Sequence, residues 1–169
     1  MWKRHFSPSR DHAPRTSRER KSPVRLAVRL HLVAHRLSAL PVVGWPLAKS
    51  VYWLSKVLTN SDIDPRANIH PSVSIPHATG VVIGETAVVG PRSVIMSGVV
   101  VGARSWDAHD RHANIGADVF IGSGAVVLGS VRIGDGARIG ANSVVLGDVD
   151  PGVTVIGSPA RPLAPLEAD

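Results

Sequence analysis

The sequence predicts a β-class protein: a parallel β-helix, or solenoid, of six-residue repeats, preceded by two short α-helices. Apolar residues recur at every sixth position over about a hundred residues, and no helix-length insert separates the short apolar segments as it would in a βαβ fold. Hydrophobic residues make up 44% of the chain but aromatic residues only 4%, which suits a narrow core of Ile, Val and Ala. The repeating positions are Ile63, Ile69, Ile75, Ile83, Val89, Ile95, Val101, Ile115, Ile121, Val127, Ile133, Ile139 and Val145.

The six-residue phase slips twice. It shifts by two residues at Val81-Val82, and a longer insert separates Val101 from Ile115. Such slips mark places where the chain leaves the solenoid, and exposed loops on a rigid scaffold often carry binding chemistry. We therefore look for functional residues near these two positions.

Residues 1–23 form a basic segment that contains almost no apolar residue. We expect a disordered arm, because such a composition cannot bury enough surface to order itself. The net charge of +6 is concentrated in this arm, and the rest of the chain is close to balanced. The charge therefore does not predict a nucleic-acid-binding surface on the folded domain. No apolar core of a secretory signal follows the basic start, and no cysteine is present to form a disulfide or a thiolate site. We expect a cytoplasmic protein.

Residues 24–60 are expected to form a short helical region. Interleaved apolar and basic residues predict an amphipathic helix over residues 24–40, ended by Pro41, and a second helix over residues 46–58. Neither segment reaches the uncharged apolar length that spans a bilayer. Two interpretations stay open: the helices cap the solenoid or pack between subunits, or residues 24–40 lie on an anionic membrane surface.

The solenoid is expected to occupy residues 61–158. The segment Gly157-Ser158-Pro159 then breaks the repeat, and residues 159–169 are expected to form a short C-terminal tail.

Polar groups stand out against the apolar array at its start and at both slips. A neutral imidazole such as His77 accepts a proton at cellular pH, and a neighbouring carboxylate orients it and stabilises the imidazolium that forms. Asp62 precedes His77 by slightly less than one coil of three hexapeptides, which allows the two to meet on adjacent levels. Glu85 follows the first slip, and Arg111 in the insert offers a planar fork of donors for a carboxylate, with His112 beside it. Taken alone, these residues also fit solvated loop positions.

Four motifs lie along the array. They are His77-Ala78-Thr79-Gly80-Val81-Val82-Ile83-Gly84-Glu85-Thr86-Ala87-Val88, then Asp110-Arg111-His112, the Ile-Gly-x-Gly-Ala hexapeptides, and Gly157-Ser158-Pro159-Ala160-Arg161. Together they give this sequence a resemblance to the serine O-acetyltransferase family of hexapeptide-repeat acyltransferases. The resemblance covers about residues 61–162, with the family's spacing between motifs. It implies a left-handed parallel β-helix, assembled as homotrimers with active sites between neighbouring subunits.

The resemblance implies acetyl transfer from acetyl-CoA to the hydroxyl of L-serine or a close analogue, a step of cysteine biosynthesis. His77 is then the general base, with Asp62 as its orienting partner. Arg111 and His112 correspond to the pair that holds the carboxylate of the amino acid, and Glu85 matches a glutamate near the acceptor.

Coenzyme A in this family lies along the groove between β-helices, and no metal is expected. The matching positions here are Ala103, Ser123, Arg138 and Ala141.

The chain departs from the family pattern at three places. Pro76 stands where the family has an aspartate that contacts the amino group of serine, which leaves the acceptor open. The helical region through which many members pair their trimers is short here, which leaves trimer and hexamer open. The insert before Arg111 lacks the family's Gly-rich run.

Three other functions stay open. Acyl transfer to a sugar hydroxyl or amine would leave Arg111 without a carboxylate to bind. A metal hydratase like the γ-type carbonic anhydrases would need three convergent histidines on zinc, and the candidates are His70, His77, His109 and His112. A non-catalytic assembly protein is the third.

Overall fold

A computed structural model describes residues 26–105 and 111–163 of the chain. The arm predicted at residues 1–23, Asp110 of the second motif, His109 and the last six residues of the predicted tail lie outside the described residues. Two α-helices are followed by fourteen short strands within these ranges. The helices are α1 Leu26–Ser38 and α2 Gly44–Thr59, and the strands are β1 Asp62–Ile63, β2 Asn68–Ile69, β3 Val82–Ile83, β4 Val88–Val89, β5 Val94–Ile95, β6 Val100–Gly102, β7 Asn114–Ile115, β8 Phe120–Ile121, β9 Val126–Leu128, β10 Arg132–Ile133, β11 Arg138–Ile139, β12 Val144–Val145, β13 Thr154–Ile156 and β14 Arg161–Pro162.

The strands form a left-handed parallel β-helix with three flat faces, which confirms the parallel β-helix predicted from the repeat and the hand implied by the family resemblance. Face 1 contains β1, β3, β6, β9 and β12, and face 2 contains β2, β4, β7 and β10. Face 3 contains β5, β8, β11, β13 and β14. Every neighbouring pair is parallel except β13 and β14, where the chain turns back in the segment that the sequence analysis assigned to the tail.

The repeating apolar residues form the core, as predicted. All thirteen of them are at most 6% exposed, the most exposed being Ile63. Small or branched residues two positions earlier, such as Ala113 and Ala125, are also buried, so each coil stacks on the next with little unfilled space.

Strand pairing locates the phase slips. Asp62 pairs with Val82, twenty residues on, and Val100 pairs with Val126, twenty-six residues on, whereas regular coils repeat after eighteen residues. These two longer coils confirm the two slips read from the sequence. A third irregularity was missed: Ile133 pairs with Val149, only sixteen residues on, because the final coil is two residues short.

Helix α1 caps the N-terminal end of the solenoid. Its buried residues Ala27 and Val28 belong to the same apolar cluster as the first coils. His31 Nε2 donates a hydrogen bond to the carbonyl of Ala67 at 3.1 Å, and His35 Nδ1 donates one to the carbonyl of Pro65 at 2.8 Å. Of the two interpretations of residues 24–40, the described residues support the cap. Within the described ranges, both helices fall short of the length and apolarity that crossing a bilayer requires.

Candidate active site

Polar side chains lie along two edges of the prism, with face 1 between them. We call the corner between faces 3 and 1 the histidine edge; it carries His77, Ser97, Ser123 and Ala141 on successive coils. We call the corner between faces 1 and 2 the arginine edge; it carries Asp64, Arg66, Glu85, Thr86, Arg111 and His112. The predicted site residues of one chain are therefore divided between two edges.

His77 lies in a corner that is longer than its counterparts on the coils above. The two extra residues of the first slip fall between the core residues Ile75 and Val81. Gly80 closes the corner with a φ of 71°, a left-handed conformation that glycine adopts without strain. The His77 side chain is exposed, and within the described residues it takes part in no hydrogen bond. Its ring is thus accessible to a ligand.

Asp62 is held by helix α2. Tyr52 donates its hydroxyl to Oδ1 of Asp62 at 2.5 Å, and Lys56 donates Nζ to Oδ2 at 2.6 Å. Burial raises the pKa of Asp62, but the hydrogen bonds from Lys56 and Tyr52 outweigh it and lower this pKa below its usual value. The carboxylate is charged at neutral pH. The described structure joins Asp62 to α2 and shows no hydrogen bond between it and His77, although the two lie on adjacent levels.

Glu85 is enclosed by two guanidinium groups. Arg66 and Arg111 each donate through Nη2 to one of its two carboxylate oxygens. Arg66 also donates to Asp64, at 3.2 Å, and its guanidinium lies 5.4 Å from the centre of the Trp45 ring. Asp64 and Glu85 are therefore paired with arginines, and Glu85 restrains the guanidinium of Arg111.

His112 is fixed by Thr86 and by the absence of a side chain at Gly84. The Thr86 backbone N–H donates to Nδ1 of His112 at 3.3 Å, and the Thr86 hydroxyl lies 2.8 Å from the same atom. Since Nδ1 accepts a hydrogen bond, the neutral ring carries its proton on Nε2. Burial, and then the charge of Arg111, lower the pKa of His112, which favours this neutral form. The ring lies over Gly84, where a Cβ would meet Nε2 at 1.9 Å.

These side chains line an open cavity of about 420 Å³ on the arginine edge. The structure thus brings together the predicted residues Glu85, Arg111, His112 and Ala103, with apolar walls from β6 and β9. The lining residues are Asp64, Arg66, Gly84, Glu85, Val100, Gly102, Ala103, Arg111, His112 and Leu128. A second cavity, of about 500 Å³, lies at the C-terminal end of the β-helix; its lining includes Asp148, Asp150 and Arg161 but no histidine.

The other residues predicted to bind coenzyme A lie beside the histidine edge. Ser123 and Ala141 occupy equivalent positions on consecutive coils, and the backbone N–H of Asn142 donates to the Ser123 carbonyl at 2.9 Å. Arg138 lies on the adjoining face 3, with its guanidinium 5.1 Å from the centre of the Phe120 ring. Ala103, in contrast, lies at the other edge.

Sequence reasoning missed several residues that shape the site. Tyr52 and Lys56 precede the array in a helix, and nothing in their spacing predicts a contact with Asp62. Arg66 has Asp64 as a partner on its own coil, but its contact with Glu85 comes from the next coil and is not visible in the spacing. Thr86 could have been found, because it lies inside the first motif.

Two family models match the repeat region. The model described as "Bacterial transferase hexapeptide (six repeats)" matches residues 112–147. The model described as "Hexapeptide repeat of succinyl-transferase" matches residues 80–105. Both descriptions agree with the six-residue period of the core.

The chain is also similar to serine acetyltransferases. That of Synechococcus elongatus is 44% identical over 133 residues, which cover 78% of this chain and 53% of the relative. The structure titled "Soybean Serine Acetyltransferase Complexed with Serine" matches with a TM-score of 0.77 and 43% identity, covering 81% of this chain and 56% of that one. The structure titled "Serine Acetyltransferase- Complex with CoA" matches with a TM-score of 0.71 and 36% identity, covering 81% and 55%. The chain spans about half the length of these relatives.

Proposed function

We propose, from the premise that this chain is a hexapeptide-repeat protein related to the serine acetyltransferases, that it transfers the acetyl group of acetyl-CoA to the hydroxyl of L-serine or a close analogue. Residues 61–158 are the proposed acyltransferase domain. Serine and coenzyme A are each bound in a structure that this chain resembles at more than a third sequence identity. A cytoplasmic location, where acetyl-CoA is available, is part of this proposal.

The observation that carries the proposal is the accessible His77 at the lengthened corner. An imidazole without a protein partner is free to accept the proton of a substrate hydroxyl. An enzyme that acetylates serine must also bind the carboxylate of serine. The cavity on the arginine edge offers two donors for it, the guanidinium of Arg111 and the Nε2–H of His112. Base and anchor together suit a hydroxy acid as the acceptor.

In the proposed reaction, His77 takes the hydroxyl proton as the serine oxygen attacks the carbonyl carbon of the acetyl thioester. The tetrahedral intermediate collapses with cleavage of the C–S bond, and the imidazolium returns its proton to the departing thiolate. The products are O-acetylserine and free coenzyme A. Such a base contributes about 10²- to 10⁴-fold in rate. Asp62 would stabilise the imidazolium, which requires it to share its charge between His77 and Lys56.

Acetyl-CoA is proposed to lie along the histidine edge beside face 3. Ser123 and Ala141 present backbone and small side chains there, and Arg138 adds a guanidinium that suits phosphate. Ala103 lies at the other edge of the same chain and is proposed to contact the coenzyme A that is bound at a neighbouring site.

We propose that the protein is a homotrimer, which the division of the proposed site between two edges supports. Face 1 lies between His77 and the cavity that contains Arg111, so we expect one serine molecule to contact His77 of one chain and Arg111 of another. A second copy with its arginine edge against the histidine edge of the first would complete the site, and a closed ring of three would complete three sites. Light scattering that shows an active monomer would contradict this assembly.

Thiol release from acetyl-CoA tests the function directly. It should be measured with serine, homoserine, threonine and sugar acceptors, with product identity checked by mass spectrometry. Serine-dependent release is expected. Release with sugars alone would support the sugar acyltransferase alternative, and none with any acceptor would support the assembly protein.

The hydratase alternative gains no support from the described histidines. His70, His77 and His112 lie at three different corners of the prism, and His70 is hydrogen-bonded to Ser72 at 2.8 Å. Among the described residues, no group of three potential ligands converges within one chain. Elemental analysis for stoichiometric zinc would test this alternative across the assembled protein.

A further inference from the structure

Glu85 lies between two guanidinium groups of the same chain. Arg111 donates through Nη2 to Oε1 of Glu85, and Arg66 donates through Nη2 to Oε2. Each oxygen of this carboxylate is therefore bound by a different arginine. The side chains of Glu85 and Arg111 are only 17% and 25% exposed, so water screens their interaction less than that of an ion pair on the open surface.

Arg66 is fixed by contacts on its own coil and on helix α2. Its Nε and Nη2 atoms donate to Oδ1 and Oδ2 of Asp64 at 3.2 and 3.3 Å. Its backbone N–H donates to Oδ1 of the same carboxylate at 2.8 Å. The guanidinium carbon lies 5.4 Å from the centre of the Trp45 ring. These contacts hold Arg66 in place independently of Glu85.

Helix α1 fixes the backbone on both sides of Arg66. His35 donates to the carbonyl of Pro65, and His31 donates to the carbonyl of Ala67. Ala67 is itself fully buried against the cap. The two helices therefore determine where the guanidinium of Arg66 meets the arginine edge.

Arg66 limits how Glu85 can bind Arg111. A carboxylate that turns both oxygens toward one guanidinium forms two parallel hydrogen bonds with it. Because Arg66 holds Oε2, Glu85 binds Arg111 through Oε1 alone. Without Arg66, Glu85 would turn both oxygens toward Arg111 and compete with a substrate carboxylate for the same fork of donors. Its negative charge would also repel that carboxylate in the cavity that Glu85 and Arg111 both line.

We propose that Arg66 is a positioning residue for the acceptor: by holding one oxygen of Glu85, it keeps the guanidinium of Arg111 able to bind the carboxylate of serine. This role rests on the proposed acetyl transfer to serine. Arg66 acts through Glu85 and Arg111 and need not contact the substrate. Its side chain is 54% exposed, and ion pairs of that exposure add little to stability, so its loss should affect acceptor binding more than folding.

A double-mutant cycle on Arg66 and Glu85 tests the proposal in the full chain. Steady-state thiol release from acetyl-CoA is measured at varied serine for the wild type, Arg66→Ala, Glu85→Gln and the double variant. Glu85→Gln keeps the shape of the side chain and removes the charge that competes for Arg111. The matched control is Arg92→Ala, which breaks the pair between Arg92 and Asp118 at the corner between faces 2 and 3. Thermal unfolding checks that each variant is folded.

Arg66→Ala is expected to raise the KM for serine at least about tenfold, as the loss of one charge-assisted hydrogen bond would, with kcat little changed. In the Glu85→Gln background the same substitution should leave the KM unchanged, because the competing carboxylate is already neutral. Arg92→Ala should have the KM of the wild type.

Two results would overturn the role of Arg66 while leaving the proposed function intact. One is a wild-type KM in Arg66→Ala. The other is an equal increase of the KM in both backgrounds, because Arg66 would then act on a group other than Glu85. If the wild type itself releases no thiol with serine, the proposed function fails, and the role of Arg66 fails with it.

Discussion

Gly84 and His112 are packed so closely that a Cβ on Gly84 would lie 1.9 Å from Nε2 of His112. The two residues come from consecutive coils, and the missing side chain at one creates the space for the ring of the other. Gly84 has no left-handed φ, so its role is the space and not the backbone conformation.

Gly84→Ala should therefore displace the His112 ring and weaken acceptor binding. Loss of one hydrogen bond to a charged group corresponds to about ten- to a hundredfold in affinity, which should appear as a higher KM for serine. Affinity for coenzyme A should be unchanged. Gly147→Ala is the control, since a Cβ there meets nothing within 4 Å. Equal KM values in both variants would show that His112 does not contact the acceptor.

His77→Ala should lower the turnover of acetyl transfer by about 10²- to 10⁴-fold, because the base that accepts the hydroxyl proton is removed. The side chain is exposed and has no hydrogen bond within the described residues, so folding should be unaffected. His70→Ala removes another exposed histidine as a control. Turnover near that of the wild type would show that His77 is not the general base.

Asp62→Asn should lower turnover at least about tenfold if Asp62 stabilises the imidazolium of His77. The amide has the same shape but no charge. Its contacts with Tyr52 and Lys56 predict a parallel loss of stability where α2 meets β1. Thermal unfolding and steady-state kinetics separate the two effects: a lower melting temperature with unchanged kcat would assign Asp62 a purely structural role.

His31 should make folding less stable in mild acid. Burial, and then the neighbouring His35, lower its pKa from 6.5 to about 4. Between pH 6.5 and pH 4, His31 binds a proton in the unfolded chain but not in the folded chain. The free energy of unfolding is therefore highest above pH 6.5 and decreases as the pH falls toward 4. The loss amounts to about 3 kcal/mol at most.

Urea unfolding at pH 7, 5.5 and 4.5 checks this expectation. His31→Gln should show a smaller decrease between pH 7 and 4.5 than the wild type, whereas His70→Gln, at an exposed corner, should behave as the wild type does. If the free energy of unfolding depended on pH in the same way in all three proteins, a group other than His31 would be responsible for the loss of stability in acid.

Pro76→Asp should lower the KM for serine. Proline offers neither a negative charge nor a backbone donor, so the ammonium group of serine lacks a partner at this position. A charged hydrogen bond restored there is worth about ten- to a hundredfold in affinity. Pro71→Asp adds the same charge at a different corner as a control. If the parent already binds serine tightly and Pro76→Asp gains nothing, another residue holds the amino group.

Much of the fold could be predicted because the six-residue period is a local property. Spacing alone correctly predicted the thirteen repeating apolar residues of the core and the two coils that contain the slips. The shortened last coil was missed because Val149 follows Val145 after four residues, and a single apolar residue out of phase has no repeat to reveal it.

The sequence by itself determined the repeat, the core and the polar residues that accompany each slip, because hydrophobic periodicity and loop insertions are visible in one dimension. Only the tertiary structure decided which of those polar residues meet. Thr86 reaches His112 and Glu85 reaches Arg111 across a coil whose insert sets their twenty-six-residue offset. Asp62 pairs with Lys56 because α2 packs beside β1. Such contacts depend on how coils stack and where the helix lies, which no local pattern encodes.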